Sequence, residues 1–113
     1  MVEITNTKLK INTAGAVEAG KALSTSGILI DYTKKDDGKI LILLDNSAGA
    51  TTCTLLKGNA LQGTKDLSIS LAASSVSGIV IESGLFVNIQ GENKGKLVIK
   101  GAAQIKVQVI ELP

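Results

Sequence analysis

The sequence predicts an all-β fold, a two-sheet antiparallel β-sandwich of jelly-roll-like or Ig-like type with roughly eight or nine short strands. Three observations lead there. Apolar and polar residues alternate over many short runs, Gly, Asn, Asp and Ser separate those runs, and no long stretch carries a clean helical stripe. The runs also recur at intervals of roughly eight to twelve residues, the spacing of a sandwich or barrel.

Taken in order, residues 5 to 11 alternate, placing Leu9 and Ile11 on one face and Lys8 and Lys10 on the other. Residues 14 to 24 are the one place for a short helix, with Val17, Ala22 and Leu23 loosely on one face, although Gly15 and Gly20 oppose it. Residues 27 to 32 and 39 to 45 form the next two strands. The Asp37-Gly38 step between them predicts a hairpin, because Gly accepts positive φ and Asp bonds its own backbone. Ile40-Leu41-Ile42-Leu43-Leu44 is continuously apolar, as in a strand covered on both faces or one lying at a subunit contact.

After Asn46-Ser47-Ala48-Gly49, residues 50 to 56 alternate Thr with Cys53 and Leu55. Residues 66 to 72 put Leu67, Ile69 and Leu71 on one side and Ser68 and Ser70 on the other. Strands at 77 to 82 and 85 to 89 follow, with a bulge or tight bend at Ser83-Gly84. The last two, at 96 to 100 and 104 to 110, bury Leu97, Ile99, Ile105, Val107 and Val109, and Pro113 follows where no ladder donor is needed. A short echo links Ser26-Gly27-Ile28-Leu29-Ile30-Asp31 with Ser77-Gly78-Ile79-Val80-Ile81-Glu82, and Gly38-Lys39-Ile40 with Gly95-Lys96-Leu97. Duplication of a half-sandwich would explain it, but strand composition alone generates such matches, and no repeat array is implied.

At 113 residues, 44% of them hydrophobic, the chain suits one domain over residues 1–113, with residues 1–16 as an arm or edge strand. The single cysteine and the start at Met1, without a basic and apolar leader, lead us to expect synthesis in a reducing cytoplasm and neither export nor membrane insertion. Net charge is +2, and every basic residue is Lys. Without Arg, and with Tyr32 and Phe86 as the only aromatics, the chain lacks the usual tools for gripping nucleic acid.

No residue is expected to be catalytic, to bind a cofactor or to ligate a metal. The absence of His removes Ser-His and Cys-His pairs and histidine-bearing zinc sites. Cys53 then reads as a small buried hydrophobe. The stretch from Gly58 to Lys65 imitates a phosphate-binding loop, but Thr64 and Lys65 stand in reversed order and a strand follows; it reads as a connection with positive-φ glycines at its ends. Asp36 and Asp37, with Asp31 and Asp45 flanking, lack calcium-loop spacing and read as solvated turn acids. Glu82, at a strand end near Gly84, could pair with a lysine, a surface contact that contributes little.

Leu44-Asp45-Asn46-Ser47-Ala48-Gly49-Ala50-Thr51, residues 58 to 63, Asp66-Leu67-Ser68-Ile69-Ser70-Leu71, Glu82-Ser83-Gly84-Leu85-Phe86 and Val107-Gln108-Val109-Ile110-Glu111-Leu112-Pro113 together resemble small β proteins encoded among tailed-phage and prophage head genes. The resemblance covers roughly residues 20 to 113 and is one of composition and turn placement. It implies a capsid decoration or cement protein of the virion, a non-enzymatic homo-oligomer, trimeric by preference, that bridges major capsid protein subunits from outside. Tail or neck structure is the near alternative, and a carbohydrate- or receptor-binding module the rival, although one Tyr, one Phe and no Trp make a poor platform for sugar rings.

Overall fold

The computed structural model describes residues 1–33, 35–61 and 63–113; Lys34, in the expected hairpin turn, and Gln62, in the Gly58 to Lys65 stretch, lie outside the described residues. Ten strands and one short helix follow in chain order: β1 (Val2–Glu3), β2 (Thr7–Lys8), β3 (Lys21–Ala22), β4 (Ile28–Asp31), β5 (Ile40–Asn46), β6 (Thr51–Leu55), β7 (Leu67–Leu71), β8 (Ser75–Ile79), α1 (Ser83–Phe86), β9 (Lys96–Gly101) and β10 (Ile105–Glu111). One sheet runs β1-β4-β9-β6-β7 and the other β2-β10-β5-β8, with β3 also against β10. The molecule measures 36 × 36 × 21 Å. Its short dimension fits two stacked sheets about 10 Å apart with their outer side chains.

The alternation read from the sequence fixes which faces meet. Ile30, Leu97 and Ile99 from the first sheet and Ile42, Leu44 and Val107 from the second are all 0% exposed. Each such side chain contributes about 1.5–3 kcal/mol on leaving water. The inward-facing residues expected of β6, β7, β9 and β10 are the ones that line this core, with Leu67 and Ile69 only half-buried.

The all-β sandwich stands, with ten strands in place of eight or nine and mixed sheets in place of purely antiparallel ones. The extra strands come from the N-terminal segment. β1 pairs parallel with β4 in one sheet, and β2 pairs parallel with β10 in the other. Between them Ile4, 7% exposed, closes that side of the core. Because the chain changes sheet at Asn6, the alternation expected over residues 5 to 11 holds only in part: Thr7 is buried and Leu9 half-buried between exposed Lys8 and Lys10, but Thr5 and Ile11 are exposed.

Two further expectations are corrected, the hairpin and the strand at 85 to 89, and two open readings are narrowed. β4 and β5 form no hairpin. Asp36 and Gly38 do make a turn, with Lys39 N–H bonding the Asp36 carbonyl at 3.2 Å and φ of +82° at Gly38, but the strands enter opposite sheets. Residues 14 to 24 are not helical; they run along β10 and include β3. Residues 85 to 89 form no strand and Ser83-Gly84 no bulge. Both lie around α1, which turns Phe86 into the core, while Asp37 Oδ1 accepts the Ser83 amide at 3.2 Å. The apolar run at 40 to 44 is fully covered on one face only: Ile40, Ile42 and Leu44 are buried, whereas Leu41 and Leu43 are half-buried on the outer face.

The sequence echo falls on equivalent parts of this topology. β4 crosses to β5 and β8 crosses to β9, while β4 pairs with β9 and β5 with β8. The echo carries Ile30↔Leu97 of one ladder onto Ile81↔Ile40, which continues the Ile42↔Ile79 register of the other by two residues. Gly38 and Gly95, with φ of +82° and +81°, hold the same place before β5 and β9.

Candidate interaction surface

The residues tested for chemistry do not converge. Cys53 faces the core from β6, 1% exposed, and burial pushes its thiol above the ordinary range. Asp31 and Asp45 lie toward opposite ends of the sandwich, at the ends of β4 and β5. Partial burial works to raise the Asp31 carboxyl, but hydrogen bonds from Thr33, at 2.8 Å from its amide, with Lys35 and Lys96 nearby, outweigh that and hold it below the usual range. Asp36 and Asp37 are exposed. Among the described residues no three acidic or thiol groups cluster as a metal site, and Glu82 makes no ion pair.

The described residues between Gly58 and Lys65 form a structural connection. Lys57 N–H bonds Asp66 Oδ1 at 2.7 Å, Gly58 N–H bonds the Leu85 carbonyl at 2.9 Å, and Asn59 exchanges bonds with Gln90 and Ile89. Gly58 does not have the positive φ expected of it. Both end glycines serve close approach: a Cβ on Gly58 would stand 2.6 Å from the Val87 carbonyl oxygen, and one on Gly63 would collide with the Gly58 carbonyl.

Polar networks fix the two ends. At one, Asn6 Nδ2 donates to the Asp31 carbonyl (3.1 Å) and to Glu111 Oε2 (3.0 Å), and Lys35 pairs with Glu111 at 3.1 Å. Nearby, Glu3 bonds Lys96 and holds its ammonium above the ordinary range. At the other end Asn46, 0% exposed, bonds Gly49, Ala72, Ala48 and Gln104. Sequence reading took Asn46 only for a turn residue; a lone Asn closing an apolar strand was the available signal.

The two long sides differ. The side closed by β1, Ile4 and β2 carries its own strands. The other is bounded by β7 and β8, each paired along one flank only among the described residues. Ladder alternation shows which backbone groups are left over. The Leu23 amide bonds the Ile105 carbonyl at 2.9 Å, so Ile105 and Val107 face β3, and Lys106, Gln108 and Ile110 face β5. In β5, Ile42, Leu44 and Asn46 therefore face β8 and bond Ile79, Ser77 and Ser75. The amides and carbonyls of Val76 and Gly78, and of Val80 just beyond, point to the open flank. By the same reasoning from Leu56 N–H on the Val98 carbonyl (2.9 Å), Ser68 and Ser70 of β7 do so too.

The two edge strands themselves carry no charge, although exposed Asp45 of β5 stands in register with Val76. Edge strands ordinarily bear charges, Pro or bulges that deter pairing, yet residues 67 to 81 contain no charged residue and no Pro. Val76 and Val80 are 63% and 50% exposed there, beside half-buried Leu41 and Leu43. Comparison with family models, with curated proteins and with solved structures gave no match to this chain.

Proposed function

We propose that this chain is a non-enzymatic structural protein of a tailed-phage virion, a capsid decoration protein that binds the outer surface of the shell. The virion assignment comes from the resemblance of its turn and strand sequences to phage head proteins. What supports a binding role is one observation: acids and thiol are dispersed or buried, while unpaired strand groups lie along one side together with the exposed Val76 and Val80. A protein that docks on a repeating lattice needs surfaces of that kind and no deep site, because many weak contacts add by multivalency. The networks at Asn46 and Asn6 hold the ends in fixed shape, which lowers the ordering cost of docking.

The test is to mix purified protein with expanded shells of the cognate particle, sediment them and image the pellet. The expected result is added density on the outer surface in a fixed ratio per capsomer. Shells that stay bare at saturating protein overturn the reading; tubes or rings assign the chain to the tail or neck, and a glycan-array signal from the isolated protein assigns it to the sugar-binding class.

A further inference from the structure

We infer that the open flank of β8 is a self-association edge, on which a second copy adds its own β8 antiparallel across a two-fold axis at Gly78, joining two sheets into one. This goes beyond the virion reading, does not depend on it, and puts a two-fold pair in place of the trimer that the resemblance implies.

The first argument is internal. The sequence echo equates β4 with residues 79 to 82, which run on from the end of β8, and β4 has its outer flank filled: β1 lies along it, and Ile4 N–H bonds the Leu29 carbonyl at 3.0 Å. The residue equivalent to Leu29 is Val80, whose carbonyl points to the open flank. Side chains show the same contrast. Leu29 and its cross-strand partner Val98, on the outer face beside the filled flank, are 8% and 6% exposed. Their equivalents beside the open flank are Val80 at 50% and the half-buried Leu41. One half of the fold thus displays how a strand completes this edge, and the other half lacks that strand.

The second argument selects the occupant. An isologous two-fold sets the same surface against itself, so a charge near the axis would face its own copy. Charged residues are frequent in this chain, at 19%, yet none occurs from residue 67 to 81. The free groups are also self-complementary. With the axis at Gly78, Gly78 meets Gly78 of the second copy, Val76 meets its Val80, and Val80 meets its Val76, so all three unpaired residues find hydrogen-bonding partners. Both exposed valines are then covered in pairs. Leu41 and Leu43 flank the central position, where a Cβ on Gly78 would stand 3.3 and 3.5 Å from their methyl groups.

Sedimentation velocity or light scattering of the purified chain at micromolar concentration tests this. Twice the 11.6 kDa chain mass is expected. Val76→Lys with Val80→Lys should return the mass to that of one chain, because the two lysines oppose across the axis, and circular dichroism should stay unchanged because both sites are exposed. Val76→Lys with Val80→Glu should restore the dimer. Within one chain these positions are about 13 Å apart, too far to pair, so rescue reports contact between copies. A single-chain mass for the unmodified protein, a trimer, a dimer indifferent to the double lysine variant, or failure of the Lys-Glu rescue overturns the inference. Association only in the presence of shell protein also overturns it and gives the edge to that partner's strand.

Discussion

Gln104 Nε2 donates to the side-chain carbonyl of Asn46 at 2.8 Å and to the Gly49 backbone carbonyl at the same distance, so one amide holds another inside the end of the sandwich. Asn46 in turn donates to Gly49 and Ala72 and accepts from Ala48. Three connections converge there: the β5–β6 turn, the β7–β8 corner and the β9–β10 turn. Asn46→Ala removes four hydrogen bonds from a fully buried side chain, a cost of about 3 kcal/mol. Gln104→Ala, at a half-buried position where water replaces the lost partner, should cost about 1 kcal/mol. Urea unfolding checks both, as a lowered midpoint at unchanged m.

Ile42 and Leu43 are neighbours with opposite fates. Ile42 is 0% exposed between the sheets, and Leu43 is half-buried on the outer face. Ile42→Asp places a carboxylate in the core with no partner and should prevent folding. Leu43→Asp should leave a folded chain with a small loss, roughly 1 kcal/mol or less. Far-ultraviolet circular dichroism and thermal melts separate the two outcomes; a folded Ile42→Asp chain would mean that this strand does not sit in the core.

Those faces were legible because alternation with period two needs only local sequence. The Thr-Cys-Thr-Leu, Leu-Ser-Ile-Ser-Leu and Ile-Lys-Val-Gln-Val runs declared their inward residues without any knowledge of partners. Pairing was not legible. The Asp37-Gly38 turn has the chemistry of a hairpin, but a turn reverses the chain without saying which sheet receives the next strand. Nor did Leu85 and Phe86 reveal α1, since two apolar residues after Ser-Gly suit a strand as well as a helical turn. For the interaction surface, the uncharged stretch from 67 to 81 was visible. That both its strands are edges depends on where residues far away in the chain lie.

Deprotonation should limit stability on the alkaline side. Burial raises the Cys53 thiol, and burial followed by the nearby Asp37 charge raises the Tyr32 hydroxyl. Both groups are held in their neutral forms by the fold. Their contribution is complete below the unfolded-state values, about 8.5 for Cys and 10 for Tyr, and is lost as pH rises through the higher folded-state values. Stability should therefore fall from roughly pH 9 upward, and Cys53→Ala should move the onset toward the tyrosine value. Asp31, lowered in the fold, acts in the opposite sense: its contribution is present above about pH 4 and is lost on further acidification. It is a partly exposed group, so the acid effect should be shallow and weaken with salt. Denaturant midpoints measured from acid to alkaline pH test all three, and Asp31→Asn should flatten the acid limb.

Glycine-to-alanine substitutions separate the two physical reasons for glycine in this chain. At Gly58 the added carbon would sit 2.6 Å from a backbone oxygen that belongs to the Val87 carbonyl, and the loop cannot withdraw without losing the Gly58-to-Leu85 bond. Gly58→Ala and Gly63→Ala should each cost about 1–3 kcal/mol, the range for overpacking. At Gly38 nothing lies within 4 Å of the added carbon, but φ is +82°, so the cost comes from backbone conformation alone, about 1 kcal/mol. Gly49 has open space and no positive φ, and Gly49→Ala should be neutral or stabilise by about 0.5 kcal/mol through the unfolded chain. The expected order of melting temperatures is Gly49→Ala highest, then Gly38→Ala, with Gly58→Ala and Gly63→Ala lowest. A Gly58→Ala chain as stable as Gly49→Ala would show that the 57 to 66 loop does not pack against α1 as described, because only that contact forbids the side chain.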